Sequence, residues 1–166
     1  MNNIFFDITD EIQEALKKNK PIVALESTLI SHGLPYPKNL EVAKSSIEAV
    51  RLSGSVPATI AIINGEVKIG LNEKDMDILA INENVEKVSQ HNLAISINNK
   101  NHAATTVAST IYLASLIGIK FFSTGGIGGV HLDADNSFDI SSDLNELSKT
   151  SMYIICSGAK SILDLN

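Results

Sequence analysis

The 166-residue sequence predicts an α/β fold in which a mixed β-sheet is layered between helices (α/β/α). Three observations predict it. Short apolar runs of strand length alternate with stretches whose apolar residues recur every three or four positions, as in layered α/β domains. Asn64-Gly65 separates two apolar runs, and both positions of that tight hairpin turn want positive φ, so part of the sheet is antiparallel. Hydrophobic residues make up 44% and charged residues 19%, which excludes a disordered chain. With aromatics at 5% and no Trp, the core is mostly Ile, Leu, Val and Ala. No repeat, low-complexity stretch or linker divides the chain, so one domain over residues 1–166 is expected.

The elements follow in order. Residues 9–18 read as a helix, with acids at the start, cations at the end, and Ile12, Ala15 and Leu16 on one side. Residues 21–25 (PIVAL) are a buried strand. Residues 38–52 carry Leu40, Ala43, Ile47 and Val50 at helical spacing, with Gly54 as a stop. Residues 56–63 and 66–71 form the hairpin. Asn72 caps a helix over 73–81. Residues 93–97 (LAISI) read as a strand, and Thr105 to Ile117 as an apolar helix ended by Gly118. Residues 119–123 and 152–156 are further strands, and 143–149 a helix. The last residues, Ile162 to Asn166, read as the start of a helix, so the chain is expected to be a fragment of something longer.

Charge and composition exclude several classes of function. Thirteen Lys and Arg against 19 Asp and Glu give a net charge of −6, which speaks against a nucleic-acid surface. No apolar run approaches the roughly 18 residues of a membrane helix. The start, MNNIFFDITDEIQ, is acidic and lacks the cationic region of a secretory signal. Cys156 alone makes no internal disulfide, so a reducing cytoplasm is the expected compartment. Cys156 itself reads as an inert core residue. His32, His91, His102 and His131 are scattered and show no zinc-type spacing.

Four features carry candidate chemistry, each beside a plainer reading. Glu26 follows strand 21–25, where α/β sheets open onto their ligand crevice. It suits a general acid whose pKa is raised by apolar neighbours, or a surface carboxylate. Thr124-Gly125-Gly126-Ile127-Gly128-Gly129 follows a strand and lets backbone N–H groups approach an anion. It fits neither the dinucleotide nor the P-loop pattern, and a sharp turn is the alternative. Lys160 follows strand 152–156. Desolvated there, its amine would be a nucleophile toward carbonyl-type carbons; otherwise it is a solvated loop lysine. If 138–141 is extended, Asp139, Ser141 and Asp143 face one way and offer hard oxygen ligands to Mg²⁺ or Mn²⁺. Alternatively, Ser142 or Asp143 only caps the helix that follows.

The stretches VALESTLISHGLPYP (23–37), VPATIAIINGEVKIGL (56–71), KVS (87–89), ATTVAST (104–110), FFSTGGIGGVH (121–131), FDISSDLNEL (138–147) and SGAKSILDL (157–165) together resemble the pseudouridine-5′-phosphate glycosidases, also called pseudouridylate synthases. They run in family order over nearly the whole chain. The resemblance implies reversible conversion of pseudouridine 5′-phosphate and water to uracil and ribose 5-phosphate. It implies Glu26 as proton donor and Lys160 as the nucleophile that forms an adduct at the sugar C1′. It places one Mn²⁺, or another divalent metal, per subunit on Asp139. Substrate contacts fall on Lys87, Val107 (through its backbone), Ser141, Ser142 and Asp143. A mixed-sheet α/β/α homotrimer is implied, acting on small molecules rather than on nucleic acid or a membrane. Two departures stand out. The family has Gly where this chain has Ala103, and this chain ends near the middle of the family's length. An inactive remnant, half of a split enzyme with a separate C-terminal half, and a phosphate- or nucleotide-binding module without chemistry are the rival expectations.

Overall fold

A computed structural model of the chain describes residues 6–164. Its centre is β3 (Val56–Ile63), an apolar run buried on both faces. Ala58, Ile60 and Ile62 enter one core and Ala61 and Ile63 the other, which is the period-two alternation of a strand between two helical layers. Around it lie β1 (Phe6–Ile8), α1 (Asp10–Lys17), β2 (Ile22–Leu25), a short π-helical turn (Leu29–Gly33) and α2 (Lys38–Leu52) before it in the chain. After it come β4 (Glu66–Ile69), α3 (Glu73–Ile81), β5 (Glu86–Val88), α4 (Leu93–Asn98), β6 (Ala103–Thr105) and α5 (Val107–Leu116). The remainder is β7 (Phe121–Ser123), α6 (Ala134–Ser137), α7 (Ser142–Lys149) and β8 (Tyr153–Ile155).

The strand order is β1-β4-β3-β2-β7-β8, with β6 on the far half of β3 and β5 beside β6. The sheet is mixed, as expected: β3 pairs antiparallel with β4 and β6, and parallel with β2. The hairpin turn has φ of 52° at Asn64 and 78° at Gly65. Asn72 caps α3 through a reciprocal box, its side chain accepting from Asp75 N at 2.9 Å. Ile12, Ala15, Val107, Ile111 and Leu113 pack on one face of the sheet, and Ile30, Ala43, Met76 and Leu79 on the other.

Three sequence expectations are corrected. Residues 93–97 are helical, not extended. Leu93 and Ser96 are buried and Ile97 partly so, while Ile95 is 62% exposed; strand alternation would have buried Ile95 instead. Thr105 belongs to β6, so the apolar helix begins at Val107. Residues 161–164 make a turn and an isolated bridge, Leu163 against His131, rather than a helix. Leu165 and Asn166, and the first five residues of the acidic start, lie outside the described residues. Ala103 is an ordinary buried strand residue, so the backbone here does not require the glycine that the resemblance implies.

Candidate active site

Two sets of strand ends meet at one place. β2, β7 and β8 are parallel, so their carboxyl ends share a side. β6 is antiparallel to β3 while β2 is parallel to it, and both lie along the same edge of β3. β2 and β6 therefore meet carboxyl end to carboxyl end. Buried Ser27 accepts from Thr105 N at 2.8 Å, and Thr28 donates to Thr105 O at 2.7 Å. Thr105 donates in turn to Ile60 O at 2.6 Å. Glu26 comes from one side of this junction. Lys87, on β5, and Val107, the first residue of α5, come from the other.

A cleft of about 970 Å³ opens there. One end is polar, lined by Glu26, Lys87, Thr124, Gly125, Gly126 and Lys160. The α2 side of the cleft is lined by Val42, Ala43, Ser46, Ala49, Val50 and Ser53. Three of the sequence-nominated residues, Glu26, Lys87 and Lys160, are thus brought together. Burial raises the Glu26 pKa above its ordinary value. A hydrogen bond from the Thr124 hydroxyl and the charge of Lys160 oppose the rise, Asp143 adds to it, and Lys87 opposes it. Thr124 was not singled out by sequence. The signal for it is register: Leu25 pairs with Ser123 across β2 and β7, so the next residues, Glu26 and Thr124, are opposite.

Lys160 reaches the cleft from the loop after β8. Its N–H donates to Ile127 O at 3.0 Å, and Ala159 bridges Ile127 in parallel. Its stem lies over Gly126, where an added Cβ would stand 3.3 Å from Lys160 Cγ. Lys160 is exposed at the mouth, which agrees with the solvated-loop alternative for this position.

The glycine loop does bind a carboxylate, but an internal one. Asp143, 4% exposed, accepts from Gly128 N at 2.8 Å and from Ala108 N at 2.9 Å. It ties the loop to the first turn of α5. The close approach explains Gly128: a Cβ there would sit 2.2 Å from Ser141 Oγ and 2.7 Å from Asp143 Oδ2. The helix cap is Ser141, which accepts from Asp143 N at 3.2 Å, in place of the expected Ser142 or Asp143. Ser142 pairs with Ser89, their hydroxyl oxygens 2.5 Å apart.

Because α7 starts at Ser142, residues 138–143 are not one extended run, and Asp139, Ser141 and Asp143 do not share a face. Phe138 has φ of 56°, Asp139 is exposed and Asp143 is buried. Asp139 lies with its Oδ2 3.8 Å from His131 Nδ1, and neither residue lines the cleft. Among the described residues no group of three His, Cys, Asp or Glu gathers to hold a metal. Asp139 is a single exposed carboxylate, so a divalent cation there would have to draw the rest of its shell from water. Cys156 is half-buried at the end of β8 rather than in the core.

The chain belongs to the family described as indigoidine synthase A-like proteins, whose family model matches residues 11–166. It is 55% identical over 161 residues to a pseudouridine-5′-phosphate glycosidase of Staphylococcus aureus (strain MW2), covering 97% of this chain and 52% of that protein. It is 53% identical over 159 residues to the protein of the same name in Escherichia coli (strain K12), covering 95% of this chain and 51% of that one. Two solved structures share the fold. The prealnumycin C-glycosynthase AlnA, in complex with ribulose 5-phosphate, superposes with a TM-score of 0.88 at 40% identity, over 96% of this chain and 52% of its own. An indigoidine synthase A-like protein from Thermotoga maritima superposes at 0.87 with 34% identity, over 99% of this chain and 53% of its own. The chain spans about half the length of the curated relatives it matches. No helix among the described residues is long and apolar enough to cross a membrane.

Proposed function

We propose that this chain carries the reacting groups of a pseudouridine-5′-phosphate glycosidase, which cleaves the C–C glycosidic bond of its substrate reversibly to uracil and ribose 5-phosphate. The observation that carries the reading is the meeting of Glu26, Lys87 and Lys160 at the polar end of one cleft. The names of the relatives support the same reaction.

The chemistry follows from the residues. The Lys160 amine attacks C1′ as the C1′–O4′ bond breaks, and O4′ takes the proton of Glu26. A carboxyl group whose pKa is raised by burial suits that donation. The secondary ammonium formed on Nζ gives up a proton, its lone pair forms the C1′=Nζ double bond as C1′–C5 breaks, and the uracil carbon keeps the bonding electrons and takes that proton. The imine left between C1′ and Nζ adds water and releases ribose 5-phosphate and the free lysine. Lys87 and the backbone at Val107 contact the substrate from the β5–β6 side, with Ser141, Ser142 and Asp143 completing the contacts. Asp139 with water holds one divalent cation per subunit, Mn²⁺, which when bound supplies positive charge. The chain acts as one domain in a cytoplasmic homotrimer, on small molecules and not on nucleic acid or membranes.

A second reading is favoured by the share of the relatives' length that this chain spans. In it the chain is half of a split enzyme, active only with a separate C-terminal half. Uracil release from pseudouridine 5′-phosphate with Mn²⁺, read beside circular dichroism on the same sample, separates the two. Release by the chain alone excludes the split enzyme and an inactive remnant. Borohydride should also trap an adduct of ribose 5-phosphate that Lys160→Ala abolishes, and an adduct surviving in the variant would place the nucleophile elsewhere. Ligand binding that survives Lys160→Ala with no turnover in any context would indicate a phosphate-binding module without chemistry. Asp139→Ala should weaken the Mn²⁺ dependence of turnover; an unchanged metal titration would move the cation off this residue.

A further inference from the structure

We infer that Thr124 is the positioning residue for the acid: its hydroxyl donates to Glu26 Oε1, holds the carboxyl group in one orientation, and leaves Oε2 to carry the transferable proton. The inference rests on the reading of Glu26 as proton donor. The geometry is fixed by the backbone on both sides. β2 and β7 are paired in parallel up to Leu25 and Ser123, which sets Glu26 and Thr124 side by side at the next step. Thr124 N donates to Ile155 O at 3.0 Å, so the residue is also anchored to β8. Its hydroxyl then reaches Glu26 Oε1.

A threonine hydroxyl has one proton. With that proton on Oε1, the acid's own proton belongs on the other oxygen. When Glu26 gives its proton away, the negative charge spreads onto Oε1 and the Thr124 bond becomes charge-assisted, hence stronger. The hydroxyl therefore favours the state that follows donation. It opposes burial, which favours the protonated acid before donation. The other charged groups acting on Glu26 are Lys160 and Lys87, which favour the carboxylate, and Asp143, which disfavours it.

The test titrates Glu26 directly in the full chain by ¹³C NMR of glutamate side-chain carboxyls, assigned with Glu26→Gln. Thr124→Val keeps the shape and loses the donor, and should move the Glu26 midpoint upward. Thr124→Ser keeps the donor and should leave the midpoint at the parent's value. A packing role predicts the reverse ranking, because serine lacks the methyl group and valine does not. A valine midpoint equal to the parent's, or equal shifts in both variants, would overturn the inference. Should the valine variant fail to fold, Thr124→Ala makes the same comparison. In the parent chain itself the Thr124 hydroxyl proton resonance should move with the Glu26 titration, and a resonance that stays put would overturn it as well. None of these readouts needs turnover, so absence of uracil release would count against the proposed reaction and leave the Thr124 result standing.

Discussion

Glu26 shows how one buried side chain couples function to stability. Its pKa in the folded chain lies above the ordinary 4.5 because burial disfavours the carboxylate. Between 4.5 and the raised value the folded chain binds more protons than the unfolded chain. Stability therefore falls as pH rises through that window and is fully present below it. Glu26→Gln stays neutral at every pH and escapes the loss. The variant should denature at a higher urea concentration than the parent near pH 7, and at the same concentration near pH 4. A parent as stable as the variant near pH 7 would mean that Thr124 and the two lysines offset the burial in full. Glu26 was legible in the sequence because a carboxylate directly follows an apolar strand. Its partner was not, since pairing Glu26 with Thr124 requires knowing that β7, far along the chain, lies beside β2.

At the scale of elements, the most consequential joint is the one between the glycine loop, α5 and α7. Asp143 offers two carboxylate oxygens, and each is taken by a backbone N–H of a different segment. Asp143→Ala would leave both donors buried without a partner, at about 1–3 kcal/mol each. Gly128→Ala attacks the same joint from the opposite side, by driving a Cβ into Ser141 and Asp143. Both variants should lower the urea midpoint, and the double variant should lower it by less than the sum, because the two share one contact. Additive losses would show that Gly128 and Asp143 act separately. Local chemistry made other elements legible: the Asn64-Gly65 turn and the Asn72 cap are written within a few residues and hold in the structure. LAISI at 93–97 was misread because five apolar-rich residues satisfy either period, and only burial against the rest of the fold decides. The four-glycine loop was legible as a backbone that approaches an anion, but the identity of that anion as Asp143 depends on tertiary packing.

The whole molecule has one side of its sheet covered and part of the other open. Along β7 and β8 the residues alternate: Phe122 is fully buried, and Ile154 packs against the same core beneath α5. Phe121, Tyr153 and Ile155 point the other way and are 40%, 69% and 56% exposed. The Phe121 and Tyr153 rings stack with centroids 5.2 Å apart, making one continuous apolar patch. β8 is also the last strand in the order, so an apolar face and a strand edge coincide. Covering a large apolar side chain is worth up to about 1.5–3 kcal/mol, which favours association, while lost translational and rotational freedom and the repulsion of a net charge of −6 oppose it. The apparent mass by light scattering should therefore rise with concentration. Tyr153→Lys with Ile155→Lys should suppress the rise without changing the circular dichroism. The form of the curve distinguishes two assemblies. A closed trimer uses up its surfaces and reaches a plateau at three times the chain mass, whereas edge-to-edge pairing through β8 leaves a free edge at each step and keeps growing. A parent that stays monomeric across the range would mean that water tolerates this face and that assembly, if any, uses another one.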